Sequence, residues 1–432
     1  MRGAGFSPLH RPHSPAAPKS PARRGLVSRS GVNAARPASG TASFNHASVR
    51  KAMTSGFKSL KKSALVQRLV CFWRQRARDF CFGVLRVVSP RWMNHGPVKG
   101  MFSAYAELCN NKLKGEVVLA GQETLTARAG SLRKLARLEQ DKHQPWPIFW
   151  TCHEQARLIG PTALLVDGRK LACQEAMFNY HFRGDLGFYK IRWSKPVQLE
   201  GEWTSILSCW GLSGNYYHWM LDNLPRLALL NRLPAKTRII VQPTLKPFQI
   251  DSLRMLGVED KVRPLREQHL LVERFFFSAP TAMTGCPNPY AVRFLRERLL
   301  PHADANGPTY EKIFIRRQGR TRGILNEAEV MAFVQERGWA IVDPESLSLA
   351  QQINLFQNAR AVCGAHGAGF TNLLWCKPAV VAIELLADNY LNGCYESLAD
   401  CVSANHRFLV MPGDPDQRSV IDLKQLAALL PK

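Results

Sequence analysis

The chain has 432 residues, 46% of them hydrophobic, and 58 Lys and Arg against 33 Asp and Glu give it a formal net charge of +25. That much apolar sequence excludes a wholly disordered or fibrous protein, and the length suggests two or three domains. Eleven cysteines without a single Cys-x-x-Cys pair argue against a disulfide framework or a zinc site and fit a reducing cytosol.

The charge is unevenly spread. From Met1 to Gly100 there are 19 Lys and Arg against one acid, Asp79, so +18 of the +25 lies in the first quarter. Residues 1–50 are rich in Ser, Pro, Ala, Gly and Arg without apolar periodicity, a composition that cannot offset the entropy of ordering and predicts a disordered basic tail. A solvated tail, an organelle transit peptide, and an upstream extension with translation starting at Met53 are the three readings of it. Within residues 51–100 the stretch "KSLKKSALVQRLVCFWRQRARDFCFGVLRVV" alternates apolar and basic residues at helical spacing. Such a helix suits an anionic membrane surface as well as it suits packing on the folded body. No apolar run is long enough to cross a bilayer. A nucleic-acid-binding role for the basic quarter would call for aromatic residues among the charges. The first fifty residues offer only Phe6 and Phe44, so no nucleic-acid partner is expected.

Further along, short strands are predicted at 116–120, 163–166, 188–193 and 203–210. After Trp210 the rhythm becomes strand then helix: a strand at 237–242, a helix from Pro247 closed by Gly257, a strand at 269–280, and a helix with Pro289 in its first turn. The last third opens on the strand "KIFIRRQ". Asn326-Glu-Ala-Glu329 and Ser348-Leu-Ala-Gln351 read as capping boxes of two helices with the strand "WAIVD" between them. Then come the strand 360–363, a glycine turn and helix, the strand "AVVAIELL", a helix at 395–402, the strand "HRFLVMP", and a helix at 419–430. Repeated units of this kind build a parallel sheet covered on both faces, with ligands held beyond the carboxyl ends of its strands. A break near 303–309 divides the folded part into residues 101–305 and 306–432.

Three stretches carry chemistry. "GLSGNYYHWMLDNLPRLALL" turns on Gly214 and places His218 and Asp222 four apart on one helical face, where carboxylate and imidazole can work as base and orienter, or merely stiffen the helix. Pro225 within that helix predicts a kink. "IFIRRQGRTRGILNE" sets Arg316 and Arg317 at a strand end, with Arg320 and Arg322 beyond. Guanidinium forks suit phosphate oxygens, and strand alternation predicts that only one of the first pair enters a given cleft. Arg320 reads as part of an exposed basic loop. "GAHGAGFTNLLWCKPAVVAIEL", from Gly364 to Leu385, offers strand, glycine turn and helix, the order that a phosphate cradle needs. By itself it reads as a structural turn before it reads as a cradle.

Together, and in this order, the three stretches resemble glycosyltransferase family 61, over roughly residues 110–430. The resemblance implies an α/β GT-B fold of two Rossmann-like domains facing a cleft, and an inverting transfer from a nucleotide-sugar donor held by the C-terminal half. Carried over by motif, Arg316, Arg317, His366, Gly367, Gly369 and Glu384 would serve the donor, and His218 and Asp222 would face the acceptor. Arg322, Thr371 and Asn372 complete the expected donor set. The family often has Ser where Ile315 stands, so no hydroxyl contact is expected there. Inversion is one displacement, needing a base for the acceptor hydroxyl and stabilisation of the departing diphosphate. The amides of Gly367 to Thr371 with arginine would supply the second without a metal or other cofactor, and Glu384 would accept hydrogen bonds from ribose hydroxyls. Asp414-Pro-Asp416 is the one Asp-x-Asp, and its Gly/Pro surroundings read as a turn. The expected partners are thus a nucleotide sugar and a glycan or lipid-linked glycan acceptor. The expected setting is capsular or other cell-surface polysaccharide synthesis in the cytoplasm or at the cytoplasmic face of a membrane. The alternative is a basic-tailed nucleic-acid-binding or non-catalytic scaffold protein on a transferase-like fold.

Overall fold

The computed structural model of the protein describes residues 98, 100–120, 132, 147–177, 193–208, 212, 214–317, 319 and 321–431. The basic tail, nearly all of the amphipathic 51–100 segment, all but the last residue of the 188–193 strand, the last two residues of the 203–210 strand, Gly211 and Arg320 lie outside the described residues. Among those described, no helix is long and apolar enough to cross a membrane.

The first sheet has nine strands: β1 (Gly100–Phe102), β2 (Lys114–Leu119), β3 (Ile148–Ile159), β4 (Leu164–Val166), β5 (Leu171–Cys173), β6 (Val197–Ser205), β7 (Arg238–Val241), β8 (Val262–Pro264) and β9 (His269–Ser278). Their order is β1-β5-β4-β3-β9-β6-β7-β8, with β2 also on β3. The run β9-β6-β7-β8 is parallel, but β2, β4 and β9 pair antiparallel with β3. This half is therefore a mixed sheet and not the doubly wound one expected. For β3, β4 and β5 the cause is local: tight turns close with Ala163 N–H on Gly160 O and Lys170 N–H on Asp167 O, and connections this short can join only antiparallel neighbours. The longest strand, β3, is hidden in the sequence by the polar middle of "IFWTCHEQARLI". There His153 is buried and hydrogen-bonded to Thr151, and burial pushes its imidazole down to about 4.

The second sheet is wholly parallel. Its strands β10 (Lys312–Ile315), β11 (Ala340–Val342), β12 (Ala361–Ala365), β13 (Val381–Ala387) and β14 (Asn405–Met411) lie in the order β11-β10-β12-β13-β14. The helix Leu349–Gln357 has the expected capping box, with Ser348 and Gln351 each bonding the other's backbone N–H. The helix Glu327–Gln335 does not: Asn326 instead accepts from Ile421 N–H and donates to Ile421 O, tying the helix start to the C-terminal segment. That segment pairs Ser419 with residues 323–325, so the last helix begins only at Leu423, capped by Asp422. Gly364 lets β12 lie against β10, since a Cβ there would stand 2.7 Å from Ile315 O.

The chain leaves β10 toward β11 on one side and returns to build β12, β13 and β14 on the other. The strand order thus reverses between β10 and β12, and in open parallel sheets the crevice at that reversal, outside the carboxyl ends, is where ligands bind. The loops after β10 and β12 are the arginine stretch and the glycine turn. One hydrophobic core runs beneath both halves, packing Trp219, Leu224 and Leu253 from the first with Leu373, Trp375 and Leu398 from the second.

Candidate functional site

A cleft of about 460 Å³ opens at this reversal, with one wall from the 215–218 and 284–285 segments and the other from the loops after β10, β11, β12 and β13. On the first wall Asn215 caps a short α-helix, Tyr216–His218, by accepting from the N–H groups of Tyr217 and His218. The helix then widens into a π turn, Trp219–Asn223, and tightens into a 3-10 helix, Leu224–Arg232, that has Pro225 in its first turn. The kink expected at Pro225 is thus a change of helical register, because proline cannot donate to the carbonyl behind it. The π turn keeps His218 and Asp222 together: His218 Nδ1 lies 2.7 Å from Asp222 Oδ2. Thr284 Oγ1 donates to the same carboxylate oxygen at 2.7 Å. His218 lines the cleft with its side chain 21% exposed, while Asp222 stands behind it at 4%. A carboxylate on Nδ1–H fixes the tautomer that places the ring's lone pair on Nε2.

On the opposite wall β10 stops at Ile315, so Arg316 and Arg317 belong to the loop and strand alternation no longer separates them. Both line the cleft, contrary to the expectation that only one would. Arg316 is half exposed and 3.8 Å from Glu327, whereas Arg317 donates through Nε to Thr321 O. Burial, and then the neighbouring Arg322, pull the Arg317 guanidinium below its ordinary range. Arg322 lies over the Tyr390 ring at 4.9 Å and holds a left-handed backbone, φ +60°, that is costly for a residue with a Cβ. Among the described residues neither Arg317 nor Arg322 pairs with a carboxylate. Two guanidiniums side by side, with Glu345 as the nearby acid but in no ion pair with either, suit an anion.

Between them runs the glycine turn. His366 N–H is used by Leu385 O and Phe370 N–H by Gly367 O, so the amides of Gly367, Ala368 and Gly369 form the free edge of the turn. The helix it opens, Ala368–Trp375, is 3-10 rather than α. Gly367 lets Arg317 approach the turn closely, since a Cβ there would lie 1.9 Å from Arg317 Nη1. His366 points Nδ1 at Glu384 Oε1, 2.5 Å away, and His406 donates from Nε2 to Glu384 Oε2 at 2.9 Å. Burial alone would raise the Glu384 carboxyl. The two imidazoles outweigh it and hold the group down to about 2, so it remains an acceptor and both facing ring nitrogens carry hydrogen.

Of the expected site residues, His218, Arg316, Arg317, Arg322, His366, Gly367 and Gly369 line one cleft. Four do not. Glu384 is fully buried with both oxygens occupied, which removes the expected contact with ribose hydroxyls and leaves it orienting His366. Asp222 does not line the cleft and reaches it through His218 and Thr284, both bonded to its Oδ2. Thr371 and Asn372 are fully buried in the packing of the 3-10 helix, where Asn372 bonds Tyr216, Gln352 and Trp375. Sequence reasoning missed Thr284, His406, Tyr390 and Tyr395. The two tyrosines pack edge-on and tilted against His366, with ring centroids 5.4 and 5.0 Å away. No spacing rule links these residues to the motifs, because each arrives from a different loop or strand. Asp414 is a turn residue as expected: its carboxylate accepts from Asp416 N–H and Arg418 N–H and pairs with the Arg418 side chain.

A search of curated proteins finds no match to this chain. Residues 216–383, from the tyrosine beside the Asn215 cap through the first three residues of β13, match the family described as Glycosyltransferase 61. That span holds His218, Asp222, all three cleft arginines and the glycine turn, so the similarity to Glycosyltransferase 61 falls on the residues that build the cleft.

Proposed function

We propose that the protein is an inverting glycosyltransferase of GT-B type, moving a sugar from a nucleotide sugar to a hydroxyl of a glycan or lipid-linked glycan acceptor. The observation that carries this reading is the convergence, in one cleft, of the neighbouring Arg317 and Arg322 guanidiniums and the glycine-turn amides with a histidine whose Nδ1 is held by a carboxylate. The diphosphate sits against Arg317, Arg322 and the amides of Gly367 to Gly369. The acceptor hydroxyl lies at His218 Nε2, which takes its proton as the oxygen bonds to the anomeric carbon. The bond from that carbon to the phosphate oxygen breaks, and its electron pair leaves on the diphosphate, where the guanidiniums and amides take up the charge. Asp222 and Thr284 keep the His218 ring oriented throughout. The first two residues of the 343–345 turn, after β11, lie at the carboxyl edge where the nucleoside would extend.

In the same reading the product is capsular or other cell-surface polysaccharide, made at the cytoplasmic face of a membrane that the basic segment before residue 100 touches. Titration with UDP-, GDP- and CMP-sugars, followed by product analysis with glycan acceptors, tests it. Binding of one class that Arg317→Ala weakens, with an inverted anomeric product, is the expected outcome. Wild-type protein that binds none of the three classes sinks the proposal.

A further inference from the structure

We infer that Tyr216 is a positioning residue: its hydroxyl, bonded to Asn372, gauges the separation between the His218 side of the cleft and the glycine turn. The inference rests on the transferase reading of that cleft. Tyr216 does not line the cleft, yet it lies two residues before His218, and Asn372 lies three after Gly369. Tyr216 Oη donates to Asn372 Oδ1 at 2.9 Å. Trp375 Nε1 donates to the same oxygen at 3.0 Å and to Tyr216 Oη at 3.3 Å. The Asn372 amide nitrogen donates to Gln352 Oε1 at 3.0 Å and to Gly369 O at 3.2 Å.

This node has one consistent arrangement. The Trp375 N–H can only donate and the Gly369 carbonyl can only accept, so the Asn372 amide fits one way round and the Tyr216 hydroxyl must be the donor. All four capacities of Asn372 are then filled, in a place that water does not reach. Burial also drives the Tyr216 phenol up, keeping its proton in place. The Tyr216 ring is seated independently, edge-on against Phe248 at 5.1 Å, so its hydroxyl is a separable function.

A second fastener holds the far end of the same 3-10 helix. Arg296, from the helix Pro289–Leu299, donates through Nη1 to Leu374 O at 2.6 Å and to Cys376 O at 2.8 Å. The element that opens with the glycine turn is therefore gripped at both ends by the half of the protein that carries His218. Base and phosphate cradle move together rather than closing on each other across a hinge. In a single displacement the reach from base to anomeric carbon sets the rate, and an error of an ångström costs about a hundredfold.

The test is Tyr216→Phe in the full chain, which keeps the ring and removes the hydroxyl that donates to Asn372 and accepts from Trp375. Affinity for UDP, GDP or CMP, whichever the wild type binds, should stay within about twofold, and donor KM with it. Transfer kcat should fall about ten- to a hundredfold, an error of a fraction of an ångström to one ångström. Amide hydrogen exchange, which needs no substrate, should speed up across residues 368–375. An unchanged kcat, or unchanged exchange over those residues, overturns the inference. If the wild type binds no nucleotide the transferase reading fails by itself, and the exchange measurement still decides whether Tyr216 couples the two walls.

Discussion

Asp222 and Glu384 each hold the Nδ1 atom of a histidine at the edge of one cleft, yet they come to that position by different routes. Asp222 is four residues from His218 in one stretch of helix, and its reach depends on the π turn between them. Glu384 is on β13, His366 follows β12 and His406 is on β14, so three segments must come into register before the cluster exists. The first pair stands at the surface of the cleft with its histidine partly wet; the second is sealed, its carboxylate without any exposure. Proximity in sequence makes the first pair inexpensive to form and easy to perturb without unfolding. The second is part of the sheet's interior, and its loss should be felt by the fold.

The sharpest break in this comparison is His218→Ala. Removing the proposed base should lower transfer by about 10²–10⁴-fold, leave nucleotide affinity unchanged, and shift the urea midpoint little, because the ring is partly exposed. Next comes Glu384→Leu, which strands two imidazoles against an apolar side chain. Removing one partner of a buried, paired set costs about 3–5 kcal/mol, to be read from urea unfolding at neutral pH. Asp222→Asn keeps a hydrogen-bonding group and should cost well under half as much stability while still reducing transfer. Equal destabilisation by the two would erase the distinction between the surface pair and the sealed one.

Acid should separate them further. The Glu384 carboxyl ionises far more readily folded, at about 2, than at its ordinary value of 4.5. Its contribution to stability is therefore complete above about pH 4.5 and drains away as pH falls toward 2, where the folded protein must also take up the proton. Unfolding free energies measured across this window should drop more steeply in the wild type than in Glu384→Gln. Parallel slopes would mean that the carboxylate is not the ionised centre of the cluster.

The same contrast explains what could be read from residues alone. His218–Asp222, the Ser348 capping box, the arginine stretch and the glycine turn are contiguous, and their chemistry follows from spacing on one helix or one strand-to-helix turn. Most strands of the parallel sheet were legible for the same reason. What escaped depends on partners far away in sequence: Asn326 caps nothing because Ile421 reaches it, Glu384 faces histidines rather than ribose because β14 brings His406, and Asn372 is a buried fastener because Tyr216 lies against it. β3 escaped because its buried polar residues have partners, and hydropathy alone cannot show that.

Gly367 is where the distant contacts that build the donor side become visible in one atom, and it gives the smallest expected effect. Its φ of 178° is ordinary extended backbone, so alanine brings no strain of its own there. What alanine does bring is a methyl group 1.9 Å from Arg317 Nη1. That neighbour is the end of a flexible side chain, so the guanidinium swings away and the fold loses less than about 1 kcal/mol. The displaced charge no longer meets the phosphate edge of the turn, and nucleotide affinity should fall about tenfold, or about 1.4 kcal/mol. Calorimetric titration of Gly367→Ala beside Arg317→Ala and the double variant decides the matter. If alanine acts only by moving Arg317, the double variant should bind no more weakly than Arg317→Ala alone. A further loss in the double variant would mean that Gly367 meets the nucleotide directly, and that the arginine and the turn act as separate contacts.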